Sequence, residues 1–214
     1  MLGLEFDREP RTVLCLGAHP DDIEIGAGGT LLKLADRAPQ AKFHWVVFTS
    51  TPERTAEATQ SAKDLLGDRV ELIVGQFEDG LLPYRTPAKA KEFLRAAVAD
   101  KEIDLAFTHH REDRHQDHRF VADITGQVLR DHMTLQYEIL KRDGDVMQPN
   151  VFVRLSEKIA STKLDHLLDH FPSQNDKAWF DRETLAALMR IRAVECGAPS
   201  GFAEAFSSRT TVLM

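Results

Sequence analysis

Thr12-Val-Leu-Cys-Leu-Gly-Ala18 runs directly into His19-Pro-Asp-Asp-Ile-Glu-Ile-Gly-Ala-Gly-Gly29. The first seven residues are apolar, short enough for a buried strand, and stop at a polar cluster. From Ile23 to Arg37, Leu31, Leu32, Leu34 and Ala35 fall at spacings that suit the inward side of a helix. Phe43-His-Trp-Val-Val-Phe-Thr49 then reads as a second strand. The order is therefore strand, helix, strand, with the polar cluster at the first strand's end.

The same alternation continues outward. Helices are expected over Glu53–Leu66 and Pro87–Ala99, and strands over Val70–Val74 and Ile103–Thr108. Pro87 suits an early helical position, where a missing N–H costs nothing. After a polar segment from His109 to Arg119 come a helix over Phe120–Leu129 and strands over Gln136–Leu140 and Val151–Leu155. Helices over Glu157–His170 and Arg182–Glu195 follow, joined by a loop through Phe171–Asn175. This pattern predicts an α/β fold, Rossmann-like, with a mostly parallel sheet flanked by helices on both faces and a C-terminal elaboration. Within 214 residues, with no repeat or long linker, one domain over residues 1–214 is the economical reading.

Composition narrows the chemistry. A net charge of −7 argues against a surface built to neutralise many phosphates, so no nucleic-acid partner is expected. No run approaches 18 apolar residues, and the first ten residues do not resemble a secretory leader, so no membrane-spanning segment and a cytoplasmic location are expected. Cys15 lies in the apolar run and reads as a small buried hydrophobe. Two isolated cysteines, Cys15 and Cys196, make no sulfur-rich cluster, so any metal site must use nitrogen and oxygen.

Two clusters offer such ligands. In a parallel sheet, ligands bind beyond the carboxyl ends of the strands, where His19, Asp21 and Asp22 lie. The step from His19 to Asp22 lets imidazole and carboxylate converge if Pro20 and Asp21 turn, which leaves Asp21 for general-base work. Gly26, Gly28 and Gly29 allow close backbone approach or N–H groups facing an anion, but the spacing is not that of a dinucleotide loop. The second cluster, His109-His-Arg-Glu-Asp-Arg-His-Gln-Asp-His-Arg119, follows a strand ending on the same edge. His118 is the better third ligand, His115 suits proton donation or oxyanion stabilisation, and Asp117 suits orienting one of the imidazoles. His109 and His110 read as solvated neighbours. Arg111, Arg114 and Arg119 either meet an anionic substrate or balance Glu112, Asp113 and Asp117.

Ala18–Gly29 and His115-Gln-Asp-His118 together resemble the two signatures of the PIG-L/LmbE-like family of zinc-dependent N-deacetylases. Further likeness lies in Arg54-Thr-Ala-Glu57, Phe77-Glu-Asp79-Gly80-Leu81, Lys163 through His170 with Ser173-Gln174, and Ala203-Glu-Ala-Phe206. The resemblance implies His19, Asp22 and His118 as ligands of Zn2+ or another divalent transition metal. It implies Asp21 as general base, His115 as the group that steadies the tetrahedral intermediate or protonates the amine, and Asp117 as the residue that tunes His115. The implied reaction is hydrolysis of a linear amide C–N bond in a small N-acylated substrate, foremost N-acetyl removal from an amino sugar or sugar conjugate. A non-sugar amide and a non-catalytic, metal-stabilised interaction module are the alternatives, and a homo-oligomer is compatible with all of them. One departure is the short Ser50-Thr-Pro-Glu53 segment, where many relatives carry a longer glycine-containing loop. Phe171, Trp179 and Phe206 read as core residues or as aromatic walls of a pocket.

Overall fold

The structure, a computed structural model, describes residue 3 and residues 5–212. Its strands are β1 (Thr12–Gly17), β2 (Lys42–Thr49), β3 (Val70–Phe77), β4 (Leu105–His109), β5 (Met133–Tyr137), β6 (Val151–Leu155) and β7 (Phe202–Ser208). Its helices are α1 (Asp22–Arg37), α2 (Pro52–Leu66), α3 (Leu82–Arg85), α4 (Pro87–Val98), α5 (Gln116–Val128), α6 (Glu157–His170) and α7 (Arg182–Cys196). The strands form one sheet in the order β3-β2-β1-β4-β5-β7-β6. The first five are mutually parallel, and β7 is antiparallel to both of its neighbours. The α/β, Rossmann-like reading with a C-terminal elaboration is therefore correct.

Side-chain alternation places a core on each face. Val13 and Cys15 of β1 join Phe43, Trp45 and Phe107 in a cluster under α1, α2, α6 and α7. Leu14 and Leu16 point the other way and pack with Val46, Phe48, Leu94 and Val121 under α4 and α5. The chain steps outward from β1 to β2 and β3, then resumes on the opposite side at β4 and β5. The carboxyl ends of β1 and β4 thus border the crevice at the switch point of the sheet.

β6 and α6 coincide with the sequence reading, whereas other elements shift. β4 runs on to His109, because its register against β5 pairs that residue with Tyr137. β5 starts at Met133 rather than Gln136. α5 starts at Gln116 rather than Phe120, with His115 as its N-cap, so His118 lies on a helix. β7 and the short α3 were not expected. The Ser50–Glu53 segment is short because α2 begins at once, with Thr51 as N-cap accepting from Arg54 N at 3.3 Å and Pro52 in the first turn.

The glycines of α1 serve close packing. A Cβ on Gly26 would lie 2.1 Å from Tyr137 Cδ2, and one on Gly29 would lie 2.6 Å from Leu155 Cδ1. The anion that meets the Gly29 N–H is internal. Glu204 of β7 accepts from Gly29 N at 2.8 Å and Thr30 N at 2.6 Å, while Lys163 of α6 donates to Ile25 O and to Glu204, each at 2.6 Å. Both charges are buried.

Two consequences can be measured by urea unfolding. Gly26→Ala should destabilise by about 1–3 kcal/mol through overpacking. Gly28→Ala, whose Cβ meets Lys163 (3.6 Å) and Glu24 (3.9 Å) at ordinary contact distance, should be neutral or gain up to about 1 kcal/mol of helix propensity. Lys163→Met strands a buried carboxylate and should cost about 3–5 kcal/mol. Equal effects at Gly26 and Gly28 would contradict the packing account.

Candidate metal centre

β1 and α1 are joined by a tight turn. Asp21, the residue before α1, takes φ +95°, a left-handed conformation that costs a non-glycine residue energy and recurs at functional sites. The turn folds Asp22 back so that its Oδ2 accepts from His19 N at 2.7 Å. Asp21 turns aside, its Oδ1 held by Arg54 Nη2 at 2.9 Å, and the same guanidinium reaches Pro20 O.

The second cluster closes on the first. His19 Nδ1 lies 3.1 Å from His118 Nε2 and 3.3 Å from Asp22 Oδ2, and His118 Nε2 lies 3.5 Å from Asp22 Oδ1. All three residues are buried. His115 packs edge-on to His19 at 4.8 Å between centroids and beside His118 at 4.5 Å. Potential ligand atoms also gather in the sets His19–His115–His118, Asp22–His109–His118 and His19–Asp79–Asp117.

The far side of each imidazole is engaged. His118 Nδ1 meets Asp113 Oδ2 at 3.0 Å. His19 Nε2 lies 2.9 Å from Asp79 Oδ1 and 3.4 Å from Asp117 Oδ2, but neither contact is aligned as a good hydrogen bond. Such imidazole–carboxylate contacts are the usual outer partners of metal-ligating histidines. Asp113 escaped the sequence reading, although its five-residue step to His118 across the start of a helix is a usable signal.

One sequence expectation needs correction. His109 is fully buried, stacks on His118 at 3.9 Å, and lies 3.1 Å from Asp22 Oδ2; it is no solvated neighbour. Its Nε2 accepts from Ala18 N at 2.9 Å, which ties β4 to the end of β1. The Asp117 carboxylate makes no hydrogen bond with His115, although its charge acts to raise that imidazole and its Oδ2 lies 3.4 Å from His19 Nε2. It accepts from Gly80 N (2.6 Å) and Leu82 N (3.1 Å), satisfying the turn before α3, and only its backbone N–H meets His115 Nδ1, at 3.3 Å.

The arginines are held internally: Arg111 by Asp123, Arg114 by Asp143 O, and Arg119 by the carbonyls of Asp113 and Arg114. Phe171 and Phe206 are core residues, and Trp179 packs partly buried against the same cluster. Arg54 and Glu57 divide their labour, since Glu57 accepts from Ser173 N at 2.9 Å and Ser173 Oγ at 2.6 Å.

The electrostatics follow from this crowding. Burial pushes the Asp21 carboxyl up to about 7, against the pull of Arg54 and with help from Asp22. Burial likewise pushes His118 down to about 3, aided by His109 and opposed by Asp22 and Asp113. For Asp22, burial acts upward but is outweighed by His118, His109 and His19, which hold it well below the carboxylate range. Burial of His19 acts downward and is outweighed by Asp22, Asp117 and Asp79, so that imidazole sits well above its ordinary value. His115 is lowered by burial and then by His19. A neutral His118 beside an ionised Asp22 suits a divalent cation, whereas His19, held protonated by its carboxylates, would release a proton on binding one.

Fold and site together define an α/β protein of Rossmann-like topology whose switch-point crevice carries histidine–carboxylate clusters able to coordinate a metal ion. The profile of the family described as PIG-L, GlcNAc-PI de-N-acetylase, matches residues 14–129, and the chain belongs to this family. An uncharacterised deacetylase of Escherichia coli K12, YaiS, is 29% identical over 168 residues, covering 74% of this chain and 89% of that protein. Among solved structures, the N,N'-diacetylchitobiose deacetylase of Pyrococcus horikoshii superposes with a TM-score of 0.70 at 20% identity, over 94% of this chain and 84% of its own. GalB, the 4-carboxy-2-hydroxymuconate hydratase of Pseudomonas putida KT2440, superposes with a TM-score of 0.73 at 15% identity, over 95% and 98% of the two chains. These two likenesses establish the shared fold. Among the described residues no helix is long and apolar enough to cross a membrane.

The corrected role of His109 can be checked by unfolding. His109→Phe keeps the ring but leaves Ala18 N–H unpaired in the interior, so it should cost about 1–3 kcal/mol. His110→Ala, at a half-buried position, should change stability by less than about 0.5 kcal/mol. Comparable losses at both positions would return His109 to the role of a bystander.

Proposed function

We propose that this protein is a metal-dependent amide hydrolase that removes an N-acetyl group from an amino sugar or sugar conjugate. The observation that carries this reading is the buried triangle of His19, Asp22 and His118 with the Asp21 carboxylate beside it. Tetrahedral zinc, with bonds of about 2.0–2.2 Å, sets its ligand atoms roughly 3.3–3.6 Å apart. The separations here are 3.3 and 3.5 Å from the imidazoles to one or the other Asp22 oxygen, within that range, and 3.1 Å between the two imidazoles, about 0.2 Å short of it. The donor set of two imidazoles and one carboxylate suits zinc first and other divalent transition metals next.

When bound, such an ion supplies Lewis acidity to the amide carbonyl and to the attacking water. The chain's own groups do the rest. Asp21 takes the proton that the water loses as its oxygen bonds to the carbonyl carbon, and a carboxyl near 7 is matched to that task. Arg54 restricts rotation of this carboxylate. His115 accepts the Asp117 N–H at Nδ1, so its Nε2 carries the proton and donates a hydrogen bond to the developing oxyanion, while the proton taken up by Asp21 passes to the departing amine as the C–N bond breaks. The kinship with deacetylases supports an acetyl group as the acyl part. The diacetylchitobiose deacetylase sharing the fold supports a sugar as the amine part.

Purified protein freed of metal should take up one zinc per chain, and His118→Ala should lower that occupancy while the chain stays folded by circular dichroism. Undiminished occupancy in H118A would reject the ligand set. Asp21→Asn should retain its zinc and lose about 10²–10⁴-fold in turnover. A mass-resolved screen of N-acetylated sugars, sugar conjugates and other amides should show acetate and a sugar amine appearing together. Release only from non-sugar amides would keep the hydrolase and refute the sugar.

A further inference from the structure

We propose that Lys141 is a positioning residue for the metal centre, reaching it through Asp113 from a loop clamped to the C-terminal helix. This inference rests on the metal-binding reading of His118.

Lys141 lies in the irregular segment after β5, away from both sequence signatures, yet its side chain is only 9% exposed. Its Nζ lies 2.9 Å from Asp113 Oδ1, and Asp113 Oδ2 lies 3.0 Å from His118 Nδ1. The ammonium therefore holds one oxygen of the carboxylate whose other oxygen meets the ring. Asp113 Oδ1 also accepts from His115 N at 2.7 Å, so the same carboxylate fixes the start of α5. A carboxylate accepting from Nδ1–H selects the tautomer whose Nε2 carries the free lone pair, and that nitrogen faces His19 and Asp22. A buried lysine paired on one side alone would swing. This one is gripped on the other side by both oxygens of Asp145, at 2.9 and 2.8 Å, and Asp145 in turn accepts from Arg114 N at 2.6 Å.

The loop that delivers Lys141 is itself closed. Glu138 at its start forms a two-point pair with the buried Arg192 of α7, at 2.7 Å each, and accepts from Met147 N at 3.1 Å. Arg192 also donates to Met147 O at 3.0 Å. Residues 138 and 147 are thereby pinned to one guanidinium, and Lys141 and Asp145 lie between them. A loop built only to cover the sheet edge would not need a buried lysine between two carboxylates, one of which bonds a candidate ligand.

The test uses the full-length chain and zinc as the probe, with affinity measured by competition against a chromophoric chelator. Lys141→Met is expected to weaken zinc about tenfold, within the range known for outer partners of ligating histidines. In the metal-free protein it is expected to abolish the downfield Nδ1–H resonance of His118 in proton NMR. Lys141→Arg, which keeps the charge and the reach, should restore affinity to within about threefold of wild type. If K141M fails to fold by circular dichroism, Asp145→Asn carries the same test, since it releases Lys141 without removing it. Unchanged or tighter zinc binding in folded K141M or D145N, with the His118 resonance retained, overturns the inference. Failure of the wild-type chain to bind zinc would instead overturn the metal reading on which it rests.

Discussion

Helix α1 is held against the sheet by a buried ion pair that reaches into its own backbone. Lys163 takes the Ile25 carbonyl, and Glu204 takes the amides of Gly29 and Thr30, so the pair brackets one turn of the helix from two directions. Glycine at 29 lets the backbone come close enough to Glu204 for this contact to form, and glycine at 26 admits the Tyr137 ring. Everything at the site depends on where α1 then stands. Its first residue is Asp22, the turn before it sets Asp21 at positive φ, and its first turn places Glu24 against Ser61, whose hydroxyl also meets His166. Burial pushes Glu24 up to about 8, so this carboxyl is a neutral hydrogen-bonding partner linking α1, α2 and α6 at neutral pH.

Much of this arrangement was legible in the sequence because its signals are local. The Thr12–Ala18 run and the periodicity from Ile23 to Arg37 fix a strand and a helix, and His19-Pro-Asp-Asp marks the sheet edge between them. The remainder was not legible because it depends on pairings distant along the chain. His109 looked like one of two exposed histidines, and only its register against Tyr137 puts it inside. β7 carries Glu204 in its middle, an unpromising residue for an inner strand until Lys163 and two helix amides are seen to meet it. Asp117 reads as a partner for the nearby imidazoles, and its carboxylate does lie against His19, but its hydrogen bonds to amides in the turn at residues 80–82 depend on a segment distant along the chain.

The fold leaves the chemistry open. One topology serves a diacetylchitobiose deacetylase and a hydratase among solved structures, so it is the family and the residues in the crevice that favour amide hydrolysis. Those residues divide into shells that different parts of the chain supply. The two signatures contribute the inner groups. Arg54 of α2 and Asp113 at the entrance to α5 contribute the groups that orient them.

Strand β1 is apolar on both faces, so sliding it by one residue would exchange its two side-chain sets without exposing either. Hydrophobic burial alone therefore leaves its alignment ambiguous, and polar contacts at its ends must choose. At the start, Asp104 Oδ2 accepts from Arg11 N at 2.7 Å and Thr12 N at 3.0 Å. At the finish, Tyr137 donates its hydroxyl to Leu16 O at 2.6 Å, and Ala18 N donates to His109. The finishing contacts come from His109, which stacks on His118, and from Tyr137, which packs against His109. The crevice thus does more than sit on a finished scaffold: its polar neighbours supply the alignment marks by which the central strand finds its place.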